Sequence, residues 1–396
     1  MPGIAGPLTA AATAPQTGVT RTAPQRDLYI DRLRSVMTIL VLLHHTAITY
    51  GAPGGWFWHE LQPSGTPVGL LLTMFVATNQ AYFMGFFFLL AGYFTPGSLE
   101  RKGYGRFIGD RFLRLGLPLL AFGLLLGPLT AAIANVADGK GFWSAIQYLW
   151  QHKIFINGPL WFAQALLMFC LGYCIWRRWF GARLTDAART PRALPKPFAW
   201  LLSALLVGAV ALAVRQFVPV GVNVIGLQLG YFASYIFLFA IGIAAWRYDW
   251  LRQLKWKHAQ TAVIVGLLVW PLMPAGIALA RALGGPGKAN FAGGFTWPSI
   301  LYALWEPFVA WALIAAWLLF FRSWMNSPSP FWNWMNRRAY AVYIIHPPVL
   351  VGISVLLHGW SVPALVKLAV TGSLTCIATW LLADPLVRLP GVRRVV

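Results

Sequence analysis

The sequence has little charge, and most of the charge it has is positive. Only 10 % of its 396 residues are charged, with 31 Lys and Arg against 10 Asp and Glu. A soluble domain carries about a quarter of its residues as charged groups, so an ordinary soluble domain is excluded. Hydrophobic residues make up 58 % of the chain, in runs that reach roughly 18 residues or more, enough to cross a bilayer as a helix. We therefore predict an all-α polytopic membrane protein.

Cysteine is also scarce, and several sequence motifs are missing. Cys170, Cys174 and Cys376 lie inside apolar segments without metal-ligand or disulfide spacing, which indicates small core residues and predicts no metal site. No Walker A loop and no dinucleotide glycine fingerprint is present, so a nucleotide would need another kind of site. Residues 1–25 lack the apolar core of a signal peptide. We predict a disordered tail there, followed by one membrane domain over residues 26–396.

Basic residues set the predicted topology. About ten spans can be drawn, and 25 of the 31 Lys and Arg lie at the termini or in every second connection between spans. The positive-inside rule places those connections, and both termini, in the cytoplasm. The net charge of +21 thus follows membrane loops and predicts lipid rather than nucleic acid as a partner. The predicted spans are 35–51, 68–94, 113–134, 158–176, 198–218, 226–246, 259–281, 298–321, 339–358 and 363–384.

Three ionisable side chains are predicted to lie near mid-membrane. In "DRLRSVMTILVLLHHTAITYG", residues 31–51, His45 follows Arg34 by eleven residues, which returns to within about 20° of the same helix face and rises ~16 Å. His346 and Glu306 reach a similar depth in later spans. Such groups mark function by default, and a carboxylate beside an imidazole suits a general base. For a single histidine, a helix–helix hydrogen bond is the alternative interpretation.

A group of arginines is predicted at the cytoplasmic side. Arg111 and Arg114 are three residues apart in "GDRFLRLGLP", so they share a helix face. With Arg34 they form a candidate cluster for the phosphates of a donor, because guanidinium groups bind phosphate with two hydrogen bonds. Anchoring to lipid headgroups is the alternative interpretation.

Together these motifs resemble the acyltransferase-3 family of integral membrane acyltransferases, which move acetyl or other acyl groups onto carbohydrates and other hydroxyl-bearing acceptors. The resemblance covers about residues 26–391. It rests on Arg34 with His45, on Arg111 with Arg114, and on the segments "FFLLAGY" (87–93), "GPLWFAQALL" (158–167), "YAVYIIHPPV" (340–349) and "ADPLVRLPG" (383–391). Ala91 stands where the family often has Ser, so any hydroxyl role at that position is absent.

The resemblance implies an O-acyltransferase with acyl-CoA as donor, acetyl-CoA in the first place, and a glycan or lipid-linked hydroxyl as acceptor. It implies that His45 is catalytic and that Arg34, Arg111 and Arg114 lie near the donor's phosphates. It also implies a location in the bacterial cytoplasmic membrane.

Other side chains are candidates for supporting roles. Glu306 or His346 is expected to orient His45. Trp161 and Tyr343 are candidates for the wall of a tunnel, although membrane aromatics more often serve packing or the interface. Asn79 and Gln80 are candidates for oxyanion donors, with hydrogen bonding between helices as the alternative.

Two rival functions fit parts of the same sequence. A transporter would use the buried His and Glu residues as a proton relay, and a glycan-binding scaffold would need no chemistry at all. The outer connection "GAPGGWFWHELQPSGTP", residues 51–67, is aromatic and nearly uncharged. Its tryptophans fit an interfacial belt better than stacking on sugar.

Overall fold

Apolar sequence in lipid satisfies its backbone hydrogen bonds within helices, and this chain follows that rule. The structure, a computed structural model, describes residues 27–181, 190–284 and 290–395, and these residues form helices and no β-strand. The predicted disordered tail, 1–25, lies outside the described residues. The α-helices are α1 (Leu28–Thr49), α2 (Pro67–Arg111), α3 (Leu117–Ala121), α4 (Gly127–Ala137), α5 (Phe142–Gln151), α6 (Trp161–Phe180), α7 (Pro197–Phe217), α8 (Phe232–Tyr248), α9 (Trp250–Gln253), α10 (Trp256–Val269), α11 (Leu272–Gly284), α12 (Trp297–Trp324), α13 (Pro330–Leu356) and α14 (Ala364–Leu386).

Eight helical stretches in the described chain are long and apolar enough to cross a membrane. The chain is therefore an integral multi-pass membrane protein, but the predicted count of about ten spans is not reproduced. Two predicted spans, 68–94 and 113–134, fall in a single stretch of 71 residues, Pro67–Ala137. The helix that carries His45, α1, is not one of the eight, and its ionisable side chains lower its hydropathy.

The stretch Pro67–Ala137 is interrupted at Gly103. This glycine has φ 72° and ψ 167°, a backbone conformation that residues with a Cβ rarely adopt. The helix resumes and runs through two π-helical turns, Phe112–Gly116 and Phe122–Leu126, on either side of α3. The break separates the apolar first part of α2 from the segment that carries Arg111 and Arg114.

Threonine and proline start two of the long helices. The side-chain oxygen of Thr66 accepts a hydrogen bond from the backbone N–H of Gly69 at 3.1 Å, and Pro67 is the first residue of α2. Thr296 caps α12 in the same way, with Pro298 in its first turn. Such a cap satisfies one unpaired N–H, and proline there costs no hydrogen bond.

Glycines let α2 and α8 approach closely. A Cβ placed on Gly92 would lie 2.1 Å from the carbonyl oxygen of Phe239, and a Cβ on Gly242 would lie 2.1 Å from that of Leu89. Only glycine fits at such a crossing, which is the usual way for membrane helices to gain packing contact. Gly92 of the "FFLLAGY" segment is therefore a packing residue.

The first helix and the last two helices pack together. α1 contacts α2, α13 and α14, and α13 also contacts α4. On α14, the carboxylate of Asp384 accepts hydrogen bonds from Arg338 at 2.5 Å and from the indole of Trp334 at 3.2 Å, both on α13. This ion pair joins the "ADPLVRLPG" segment to the helix that carries His346.

Candidate active site

Two histidines from distant parts of the chain meet between α1 and α13. The Nδ1 atom of His45 lies 3.1 Å from the Nε2 atom of His346. The two rings are almost parallel, with centroids 5.2 Å apart. At that distance one ring N–H donates to the lone pair of the other ring. The folded chain thus brings two of the three predicted mid-membrane groups into direct contact.

The proline that follows His346 explains how this ring is held. In a regular helix the carbonyl of Tyr343 would accept a hydrogen bond from the N–H of residue 347, but Pro347 has none. The Nδ1 atom of His346 lies 2.8 Å from that carbonyl oxygen. Because a carbonyl can only accept, Nδ1 of His346 carries the proton.

This assignment fixes the second hydrogen bond as well. In neutral His346 the proton on Nδ1 leaves Nε2 as an acceptor, so Nδ1 of His45 must be the donor. The lone pair of His45 is then on Nε2, the nitrogen that the contact does not use. An imidazole whose other nitrogen is held in this way is oriented to take a proton.

An indole ring covers the histidine pair. Trp56, in the connection between α1 and α2, stacks on His45 with centroids 4.0 Å apart and planes 10° apart. It lies 5.9 Å from the ring of His346, again nearly parallel. The interpretation of the tryptophans of this connection as interface residues is therefore wrong for Trp56. Their position in a loop gave no sign that the loop folds back onto α1.

His45 and Trp56 lie at the wall of a large cavity of about 1210 Å³. Its described lining combines aromatic rings with amide side chains, and Arg281 is the one Lys, Arg, Asp or Glu among them. That guanidinium donates to the carbonyl of Gly65 at 3.2 Å. The wall includes His44, His45, Trp56, Gln80, Trp161 and Tyr235.

The candidate tunnel and oxyanion residues occupy different places. Trp161 and Gln80 line the cavity. The ring of Trp161 stacks on that of Tyr235 with centroids 5.6 Å apart, and the amide of Gln80 donates to the hydroxyl of Tyr235 at 3.0 Å. Tyr343 is buried, and its hydroxyl donates to the carbonyl of Pro159. Asn79 is buried away from the cavity lining, and its amide nitrogen has no hydrogen-bond partner in the structure.

Glu306 does not contact the histidines, which corrects the expectation that it orients His45. Its carboxylate pairs with the guanidinium of Arg215, and both side chains are buried. Arg215 also donates to the carbonyl of Gly230 at 3.0 Å and lies against the rings of Tyr231 and Tyr302. A buried carboxylate is stabilised more by a cation than by a neutral imidazole, and the guanidinium of Arg215 is that cation. The His–Glu relay expected for a transporter is therefore broken at this step.

The three candidate arginines lie outside the cavity lining. Arg111 donates to Asp110 at 2.8 Å, and Arg114 lies 3.2 Å from the same carboxylate. Asp110, which sequence reasoning did not single out, thus holds two of the three guanidinium groups. Arg34 is exposed on α1, and its carbonyl accepts a hydrogen bond from Thr38 at 2.9 Å.

One face of α13 connects the arginines with the histidines. The hydroxyl of Tyr340 donates to the backbone carbonyl of Arg114 at 2.5 Å. The ring of Tyr340 stacks on Tyr343 at 6.3 Å, and Tyr343 lies 6.0 Å from the ring of His346. These contacts form a continuous series from the backbone of Arg114 to the histidine pair.

The family now follows from the comparison with known proteins. The acyltransferase-3 model, described as an acyltransferase domain, matches residues 27–384. The chain belongs to this family. The match confirms the resemblance seen in the sequence motifs, and together with the helical fold it supports a membrane acyltransferase. Comparison with curated proteins and with solved structures gives no match.

Proposed function

We propose that this acyltransferase moves an acyl group from acyl-CoA, with acetyl-CoA as the first donor to test, to a hydroxyl of a carbohydrate or lipid-linked acceptor. The observation that carries the proposal is the series of two hydrogen bonds from the Tyr343 carbonyl through His346 to His45. These bonds leave Nε2 of His45 with a lone pair, in a protein that belongs to an acyltransferase family. The rival function of transport needs a relay from the histidines to Glu306, whereas in the described structure Glu306 pairs with Arg215.

His45 acts as the general base in this proposal. Its Nε2 takes the proton of the acceptor hydroxyl while the hydroxyl oxygen bonds to the acyl carbon. The C–S bond of the thioester then breaks, and the CoA sulfur leaves with the proton from the imidazolium. The products are an acyl ester and CoA with a free thiol. His346 orients His45, and general-base catalysis of this kind contributes about 10²–10⁴-fold.

The donor approaches from the arginine side, which the positive-inside pattern predicts to face the cytoplasm. Arg34, Arg111 and Arg114 bind its phosphates, and Asp110 holds two of the guanidinium groups ready. The acyl end reaches His45 along the face of α13, where Tyr343 must turn aside. Asn79 supports the developing oxyanion, because its buried amide nitrogen has no hydrogen-bond partner in the described structure.

The acceptor occupies the cavity on the other side of His45. A volume of about 1210 Å³ lies above the range of roughly 300–1,000 Å³ for drug-sized ligands. Trp161 offers an aromatic face and Gln80 an amide at its wall. The absence of carboxylates among the described lining residues disfavours a cationic acceptor.

Labelled acetyl-CoA tests the donor. The purified protein, supplied with a membrane extract, is expected to transfer label to a glycan or lipid whose mass increases by one acetyl group. Acetyl-CoA should also raise the Tm of the protein. Replacing Arg111 and Arg114 together by Gln should raise the KM for acetyl-CoA with little change in kcat, because the guanidinium groups bind a part of the donor that does not react.

Arg178→Gln is the control, because Arg178 is an exposed arginine at the end of α6. It should leave KM unchanged. Absence of both label transfer and thermal stabilisation by any acyl-CoA, combined with proton-coupled flux, would refute the proposal in favour of transport.

A further inference from the structure

The connection between α1 and α2 closes over the histidine pair. The indole of Trp56 and the rings of His45 and His346 lie nearly parallel, within 11° of one another. Phe57 meets the edge of that indole at 5.3 Å. An interfacial belt residue would face lipid headgroups, whereas Trp56 packs on an ionisable ring at the cavity wall.

A buried ion pair holds this connection in place. The carboxylate of Glu60 pairs with Lys367 on α14, and each side chain is only 6 % exposed. The backbone N–H of Glu60 also donates to the carbonyl of Thr49 at the end of α1, at 2.9 Å. Separating a buried ion pair would leave an uncompensated charge, so the pair fixes the loop against α14. The backbone hydrogen bond fixes the loop against α1. Trp56 is thus held over His45 by the fold on two sides.

His45 has ring neighbours but no carboxylate neighbour. In the described structure its imidazole meets the rings of His346, His44 and Trp56, and no Asp or Glu forms an ion pair with it. When a base in such a site takes a proton, the new positive charge has no counter-ion. The face of an indole attracts a cation electrostatically, and more strongly where water is excluded.

We infer that Trp56 is a positioning residue for His45: its indole face fixes the plane of the imidazole and stabilises the imidazolium that forms during acyl transfer. The inference rests on the proposed function of His45 as a base. Trp56 takes the place that a carboxylate holds beside many catalytic histidines. This also gives the Glu60–Lys367 pair a purpose, since the pair holds the loop that presents the indole.

Replacement of Trp56 by Leu tests the inference. Trp56→Leu is expected to lower kcat by about 30-fold, the factor that a desolvated cation–π contact represents, with the KM for acetyl-CoA unchanged. Trp56→Phe keeps an aromatic face and should recover most of kcat. The matched control is Trp143→Leu, the same replacement at a side chain that is 70 % exposed, which should leave both constants unchanged.

A second measurement does not depend on turnover. Diethyl pyrocarbonate modifies accessible imidazoles, and mass spectrometry reports the rate at His45. Because the indole covers one face of the ring, modification should be several-fold faster in Trp56→Leu than in the wild type or in Trp56→Phe.

Several results would overturn the inference. They are an unchanged kcat in Trp56→Leu, a loss confined to KM, or a folded Trp56→Phe that is as slow as Trp56→Leu. If Trp56→Leu does not fold, Trp56→Phe and Trp56→Tyr decide, because both keep the face and should keep kcat. Failure of the proposed function would look different: His45→Gln would retain transfer, while the modification rate would still show whether Trp56 covers His45.

Discussion

Two buried polar clusters in this membrane protein look alike in the sequence and differ in the structure. One joins His45 to His346 between α1 and α13, at the wall of the large cavity. The other joins Arg215 to Glu306 between α7 and α12. Each pair comes from ionisable residues in apolar segments, which would be read as functional by default.

The partners decide what each cluster can do. In the Arg215–Glu306 cluster opposite charges cancel and the guanidinium also binds the Gly230 carbonyl, so neither group is available for chemistry. In the histidine cluster each hydrogen bond fixes a proton and leaves Nε2 of His45 with a lone pair. We therefore expect the Arg215–Glu306 pair to stabilise the fold and the histidine pair to take part in the proposed reaction.

The largest expected effect is the loss of kcat on replacing His45 in the histidine cluster. His45→Gln should lower kcat for acyl transfer by about 10²–10⁴-fold, because the base is lost, and should leave the Tm close to that of the wild type. Steady-state kinetics and thermal unfolding in detergent measure the two quantities. His152→Gln is the control, since His152 is exposed and its side-chain contacts in the described structure are with Tyr148, away from the histidine pair. More than a tenth of the wild-type kcat in His45→Gln would remove the distinction between the clusters.

The ion pair should show the opposite behaviour. Arg215→Met or Glu306→Leu alone should lower the free energy of unfolding by about 3–5 kcal/mol, because each leaves one buried charge unpaired. The double variant should recover much of that loss and retain acyl transfer, since neither residue contacts His45. A double-mutant cycle followed by thermal unfolding and activity measures both effects. A folded double variant without activity would place Glu306 in the reaction.

These two clusters also show which features of the fold and of the candidate site could be predicted from the sequence. The helical class follows from the apolar runs, and the family resemblance from the motifs. Helix periodicity predicted a similar depth for His45, His346 and Glu306, because depth along a helix is a local property, but it left open which of the other two would meet His45. The partner of Glu306 was missed, although Arg215 is one of the few basic residues outside the cytoplasmic set. Two opposite charges in apolar helices are a usable signal for a buried pair.

Other features could not be read from spacing. Trp56 reaches His45 only because the connection folds back, held by Glu60 and Lys367 across more than 300 residues of sequence. The backbone break at Gly103 lies between the predicted spans 68–94 and 113–134, inside the helical stretch Pro67–Ala137. Contacts made by loops, and breaks inside helices, depend on tertiary structure.

The "FFLLAGY" segment extends the comparison to a motif without an ionisable group. Gly92→Ala should lower the free energy of unfolding by about 1–3 kcal/mol, because the added methyl would overlap the Phe239 carbonyl. Thermal unfolding measures the loss, and kcat of the folded protein should be unchanged. Gly105→Ala, also in α2 but with open space around the added carbon, should not destabilise through overlap. Equal destabilisation in both variants would show that the close crossing of α2 and α8 is not responsible.

The smallest expected effect concerns the proline after His346. Pro347→Ala restores a backbone N–H that competes with His346 for the Tyr343 carbonyl, so the ring loses a fixed proton. The loss of one hydrogen bond corresponds to about 0.5–1.5 kcal/mol, so we expect kcat to fall by about three- to tenfold. The Tm should not fall, because the helix gains a hydrogen bond.

Pro348→Ala is the matched control, since it restores the N–H to the Ile344 carbonyl, which no histidine uses in the described structure. It should change the helix in the same way and leave kcat as it is. Steady-state rates and Tm values for the two variants separate the effect on the histidine from the effect on the helix. Equal rates in Pro347→Ala and Pro348→Ala would mean that the carbonyl of Tyr343 does not set the proton on His346, and that the orientation of His45 depends on packing alone.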